Sequence, residues 1–196
     1  MNDEPFRCFG GDDPLYADYH DREWGRPVTD ERALLERICL EGFQSGLSWL
    51  TILRKREGFR AAFANFDPEK LAGFGDADVD RLLQDASIIR HRGKIEAAIA
   101  NGRATAQLHA NGDTLRGIVW SYEADTTPSP VTSLSALPPV TAESTALSKD
   151  LKKRGFRFVG PTTAYAAMQA CGIVNDHLAQ CPVRDNVERE RAAVAR

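Results

Sequence analysis

A chain of 196 residues, 42% hydrophobic and 27% charged, has the length for one domain with a proper core and the composition of an ordinary globular protein, which sets aside disordered and collagen-like classes. No apolar run approaches the roughly 18 residues of a spanning helix, so no membrane partner is expected. The net charge of −3 disfavours a nucleic-acid partner unless Lys and Arg are gathered locally, because phosphate binding draws on positive charge.

The start, Met1-Asn2-Asp3-Glu4-Pro5, is acidic and polar and lacks both the basic and the apolar part of a secretory signal, so the expected compartment is the cytoplasm. That compartment is reducing, and Cys8, Cys39, Cys171 and Cys181 are therefore expected as buried thiols or metal ligands rather than disulfides. Thr29 or Asp30 can cap a helix running to about Phe43, with Leu34, Leu35 and Ile38 as its apolar stripe. The segment 49–64 repeats that pattern. Asp67-Pro68 starts a short helix, since Asp caps well and Pro is tolerated in the first turn. Helical windows follow at 76–85, 93–108, 113–122, 143–154 and 162–170. No period-two series of strands interrupts them. A Thr-, Ser- and Pro-rich stretch at 124–141 reads as a loop, and 185–196 reads as a charged tail, frayed or disordered.

The expectation is an all-α single domain over 1–196. Its parts are a helical body over about 29–122, the loop, a C-terminal basic segment over about 142–181, and the tail. Basic residues gather at Arg54-Lys55-Arg56, at Arg90-His91-Arg92-Gly93-Lys94 and over 149–157. Each cluster alone reads as a solvated helix face; three in one small domain point toward phosphates.

His177 and Cys181 stand four apart and would face the same way on a helix. Cys8 and His20 at the other end complete a two-Cys, two-His set, the usual stoichiometry of a closed structural zinc site. The competing reading is packed thiols and ordinary surface histidines.

Longer stretches add a family. Asp13-Pro14-Leu15-Tyr16 with Tyr19-His20-Asp21 and Glu23-Trp24-Gly25, Ile38-Cys39-Leu40-Glu41-Gly42 with Gly46-Leu47-Ser48-Trp49, and Ile88-Ile89-Arg90-His91-Arg92-Gly93-Lys94-Ile95 carry it. So do Leu151-Lys152-Lys153-Arg154-Gly155-Phe156, Met168-Gln169-Ala170-Cys171-Gly172 and Val174-Asn175-Asp176-His177. In these, from Cys8 to Cys181, the chain resembles the bacterial 3-methyladenine DNA glycosylase I family of the helix-hairpin-helix superfamily.

The resemblance implies a helix-hairpin-helix glycosylase fold whose termini are tied by one structural zinc on Cys8, His20, His177 and Cys181. It implies a monomer that acts on damaged double-stranded DNA and hydrolyses the N-glycosidic bond of 3-methyladenine without lyase action. Glu41 takes the place of the carboxylate that hydrogen-bonds the base, and Tyr16, Tyr19 and Trp49 take the aromatic pocket positions. Two departures stand out: the family's Trp near the first zinc cysteine is missing, leaving Phe9 to supply its face, and a family Gln is replaced by Phe43. The segment 88–95 occupies the hairpin, where backbone amides with Arg90, Arg92 and Lys94 would hold phosphates; Lys149, Lys152 and Lys153 form a second patch. Two other activities compete. A lyase would need an amine nucleophile, for which Lys94 is the candidate, and a zinc-stabilised binder of alkylated DNA would need no catalysis.

Overall fold

The computed structural model describes residues 6–124 and 129–194. The opening pentapeptide that carries the expectation of a cytoplasmic compartment, part of the 124–141 loop and the end of the charged tail lie outside the described residues. Eleven α-helices and two single 3-10 turns make up the regular structure there, with no strand. Among the described residues, no helix is long and apolar enough to cross a membrane.

The first helix, α1 (Pro14–Arg22), starts on an Asp-Pro pair: the Asp13 carboxylate accepts from the amides of Leu15 and Tyr16, and Pro14 fills the first turn. It was not expected, although Asp67-Pro68 uses the same device to start α5 (Pro68–Ala72). Helix α2 (Glu31–Gln44) is capped by Asp30, whose side chain accepts from Ala33 N. Its residues from Leu34 to Phe43 are all buried, so the helix is central to the core rather than amphipathic as its stripe suggested. It packs on α7, α8 and α10. Three charged residues, Glu36, Arg37 and Glu41, are carried inside with it.

The expected helix over 49–64 is broken into α3 (Trp49–Arg54) and α4 (Arg56–Ala62), followed by a 3-10 turn at Ala64–Phe66. Ala64, Asn65 and Phe66 all have φ between 51° and 56°. This left-handed turn brings the Phe66 ring to 5.8 Å from that of Phe63, inside a core that also holds Phe43 and Phe59. Burial of those rings is what holds three L-residues in a conformation that costs each of them energy.

Helix α6 (Asp76–Gln84) and the long α7 (Arg92–Ala110) are joined by the short connection 85–91, giving a helix-hairpin-helix arrangement. The hairpin lies so close to α4 that a Cβ on Gly58 would sit 2.6 Å from Ser87 O. After α8 (Leu115–Trp120), the chain crosses to α9 (Ala142–Lys153) through a segment whose described part holds a single 3-10 turn at Leu134–Ala136. α10 (Pro161–Ala170) packs on α9 and α2.

Two expectations at the C-terminus are corrected. His177 and Cys181 do not lie on a helix but in a turn closed by Cys181 N donating to Leu178 O. In the described part of the charged tail, Arg184–Ala192 forms α11, a regular helix rather than a frayed one, with Val187 and Arg191 buried. Arg191 donates to the carbonyls of Gly172 and Ile173 and pairs with Glu123 and Glu188, so the helix docks through a saturated guanidinium that its charge-rich sequence did not announce.

Candidate active site and metal centre

Tyr16, Tyr19 and His20 are three and four apart on α1 and so share one face. That face meets α3, which brings Trp49. The Tyr19 and Trp49 rings are 5.3 Å apart, and Phe9 lies 5.0 Å from Tyr16 and 6.3 Å from Tyr19. All four expected aromatic residues are thus brought together around a small cluster of Tyr19, Trp24, Leu53 and Ala170, separate from the main core. Phe43 is not among them: its ring packs 4.5 Å from Phe59 in the main core.

Glu41 on α2 faces this wall. It is 6% exposed, and burial raises its carboxyl to about 8, with the charge of Arg37 pulling the other way. Its negative charge in turn helps to raise Tyr16 and Tyr19, both of which are lifted mainly by burial. Among the described residues it accepts no hydrogen bond. Arg37, absent from the residues expected in the site, is buried beside it; its sequence signal is the four-residue spacing to Glu41 on one helix. Arg37 Nη1 and Trp49 Nε1 are both buried without a hydrogen-bond partner among the described residues.

Phe9 joins this wall to a second site. Its ring meets His20 edge-on at 5.0 Å and Trp24 at 4.9 Å. Behind them the ligand atoms of Cys8, His20, His177 and Cys181 all lie within 4.8 Å of one another. Cys181 Sγ is 3.4 Å from His177 Nδ1 and 3.7 Å from His20 Nε2, and Cys8 Sγ is 3.7 Å from His177 Nδ1. A tetrahedral ion with bonds of about 2.3 Å to sulfur and about 2.05 Å to nitrogen needs sulfur–nitrogen separations near 3.6 Å. The far nitrogen of each ring is engaged: His20 Nδ1 with Asp21 Oδ1 at 2.7 Å, His177 Nε2 with Trp24 O at 3.0 Å. Those contacts aim the other nitrogen of each ring into the cluster. Arg7 fixes Asp21 in turn through two bonds of 2.9 and 3.1 Å. A Cβ on Gly172, whose φ is +72°, would sit 2.5 Å from Gly25 O, so only glycine lets the C-terminal segment approach the Trp24-Gly25 turn.

On the hairpin, Arg90 and Arg92 are exposed. Arg92 pairs with Asp80 at 2.8 Å. Lys94 corrects the expectation. It is 8% exposed, and its Nζ donates to Phe43 O and Ser45 O at 2.9 and 2.6 Å. The side chain thus closes the C-terminal end of α2, which needs partners for its carbonyls, and neither reaches outward to a phosphate nor stands free as a nucleophile. Lys149, Lys152 and Lys153 are exposed. The loop after α9 is tied to α7 by Asn101, which donates to Arg157 O at 3.2 Å and accepts from Arg157 N at 2.7 Å.

A family model described as methyladenine glycosylase matches residues 9–185. The chain is 56% identical over 170 residues to "DNA-3-methyladenine glycosylase 1" of Escherichia coli strain K12, covering 86% of this chain and 91% of that protein. A solved structure of 3-methyladenine DNA glycosylase I superposes with a TM-score of 0.87 at 52% identity, over 90% of this chain and 98% of the other. A Staphylococcus aureus structure, described as giving the structural basis of 3-methyladenine recognition, superposes with a TM-score of 0.85 at 38% identity, over 90% of this chain and 95% of the other. With a family model spanning most of its length and relatives this similar in sequence and in fold, the chain belongs to the methyladenine glycosylase family.

Proposed function

We propose that this chain is a single-domain, monomeric, monofunctional DNA glycosylase that hydrolyses the N-glycosidic bond of 3-methyladenine in damaged duplex DNA. The observation that carries the reading is Glu41, a carboxyl group buried against aromatic rings that accepts no hydrogen bond from the described protein. Such a group costs stability unless something completes it. An extruded adenine methylated at N3 brings a positive charge and an exocyclic amine, and so supplies both an opposite charge and a donor. Neutral adenine brings no charge, which favours the damaged base.

A base inside a duplex must be rotated out of the stack before a pocket can hold it. Tyr16, Tyr19, Trp49 and Phe9 offer the stacking faces, and Arg90 and Arg92, with the hairpin amides, hold the backbone. The alkylated ring is already a good leaving group. As the bond breaks, its electron pair passes to the base, which departs neutral; water adds to the sugar carbon and releases a proton. Glu41 needs only to bind the cation and favour the oxocarbenium-like sugar electrostatically. The engagement of Lys94 Nζ with two carbonyls supports hydrolysis over a lyase path.

Cys8, His20, His177 and Cys181 would hold one zinc ion, which would cross-link the two ends of the chain; a set of four protein ligands leaves no open position for chemistry. The donor types and the oriented rings support this. The four cysteines are unpaired and suit the reducing cytoplasm.

The test is chromatography of bases released from methylated duplex DNA. The parent protein should release 3-methyladenine, while Glu41→Gln should lose excision by about 100-fold or more and keep most of its DNA affinity. Binding of alkylated DNA with no base released by the folded parent would favour the non-catalytic binder. Equal loss of binding and excision in Glu41→Gln would remove Glu41 from base recognition.

A further inference from the structure

Beneath the aromatic wall lies a positive charge with no part in the reading above. Arg37 precedes Glu41 by one helical turn on α2, so the two side chains are neighbours on one face. Arg37 is 8% exposed. Its Nη2 donates to Glu23 Oε2 at 2.5 Å, its guanidinium stands 5.5 Å from the centroid of the Tyr19 ring, and its Nη1 is buried without a partner among the described residues. Glu23 is also held by Arg56, through Nη1 at 2.6 Å and Nη2 at 2.8 Å. One carboxylate therefore serves two guanidinium groups, and the cluster keeps a net positive charge next to the pocket. A buried guanidinium nitrogen left unpaired is expensive, and an apolar side chain of similar shape would avoid that cost.

We propose that Arg37 is a positioning residue of the base pocket: anchored by Glu23 and laid over Tyr19, its charge lowers the cost of ionising the neighbouring Glu41 carboxyl, so that the carboxylate can form when the cationic base arrives. This rests on the reading of Glu41 as the base-binding carboxylate. Glu41 is faced by Arg37 on its own helix, by Tyr16 and Tyr19 on α1, and by Cys171 at the end of α10. Arg37 is faced besides by Glu23, after α1. Burial pushes Tyr19 and Cys171 up, so both are neutral at physiological pH, while Glu23 is held below the usual carboxylate range. Arg37 is thus the positive charge among the groups facing Glu41, and Glu41, at about 8, is the group among them whose ionisation falls within the range of an activity profile.

The test is the pH dependence of kcat/KM on duplex DNA carrying 3-methyladenine, which reports ionisations of the free enzyme. The charge of the methylated, sugar-linked base is fixed over this range, so the acid limb belongs to the protein. Arg37→Met should move that limb up by about one pH unit or more, making the deficit about tenfold larger at pH 6 than at pH 9; Arg37→Lys should restore most of it. Glu23→Gln, which leaves the Arg37 charge less neutralised, should move the limb the other way. An acid limb that stays in place in Arg37→Met, with a uniform deficit at all pH values, overturns the proposal. If Arg37→Met fails to fold, an unmoved limb in Glu23→Gln overturns it instead. A carboxyl-carbon NMR titration of Glu41 in the DNA-free protein and in the same variants reads the ionisation directly. If the parent releases no base, the glycosylase reading fails while the titration still decides the role of Arg37.

Discussion

Glu41 is costly to the folded protein. An ordinary glutamate titrates at 4.5 and this one at about 8, so between those values the native state holds a proton that the unfolded chain has released. Stability therefore falls as pH rises from 4.5 to 8 and stays low above. Replacing Glu41 by Gln removes the charge penalty but leaves an amide in the same unpartnered place, so the net gain is smaller than the full shift. At pH 9 Glu41→Gln should resist urea better than the parent by on the order of 1–3 kcal/mol, with the gap closing toward pH 5. A variant less stable than the parent at pH 9 would show that the carboxyl is not desolvated in the free protein. With the expected gain, the same residue is destabilising for the fold and necessary for function, a trade seen where sites need groups the core rejects.

At the scale of elements, caps and packing divide the work. Asp30 and Asp67-Pro68 were legible because an N-cap is a local hydrogen bond that sequence alone can announce. Asp13-Pro14 carries the same signal and starts the helix that presents Tyr16, Tyr19 and His20, but no apolar stripe follows it to mark the helix. A longer-range clamp was not legible. His109 near the end of α7 has Nδ1 2.8 Å from Glu69 Oε1 and Nε2 3.0 Å from Glu31 Oε2, and Glu31 also accepts from Leu115 N and Arg116 N at 2.8 Å. Both ring nitrogens can donate to carboxylates only in the imidazolium form, and these partners raise the His109 pKa. The clamp joins α2, α5, α7 and the start of α8. Its contribution is complete below the unfolded histidine pKa and is lost as pH rises through the higher folded value. His109→Gln should cost about 1 kcal/mol or less at pH 6, given the partial exposure of the pair, and nearly nothing at pH 9. Urea midpoints at the two pH values check this; equal costs at both would remove the charged clamp.

For the whole molecule, the cluster of Cys8, His20, His177 and Cys181, whose ligand atoms lie close enough to share a metal ion, joins positions 8 and 20 to positions 177 and 181, close to both ends of the chain. An ion there would constrain α1 and the segment before α11 together, and α1 carries half of the aromatic wall. Stripping metal with a strong chelator should release about one zinc per chain and lower the thermal midpoint by about 10 °C, with excision falling in parallel. Cys181→Ser should do the same. A metal-free protein with an unchanged midpoint would leave the cluster as packed thiols and imidazoles.

The sequence by itself determined the helical class and most helix positions, because caps and periodicity are local properties of a few residues; donor chemistry singled out the two-Cys, two-His set, and the aromatic residues near Glu41 came with the family resemblance rather than from any local pattern. Only the tertiary structure decided where charged side chains point. Lys94 stands in a basic run, but the end of α2 beneath it offers two carbonyls and draws it inward. Arg37 looks like a solvated helix residue until Glu23, Arg56 and Tyr19 close around it. The segment that forms α11 looks like part of a charged tail until Gly172 and Ile173 present their carbonyls to Arg191. In each case the deciding partner is distant in sequence, and burial and hydrogen-bond completion are settled by packing rather than by residue type.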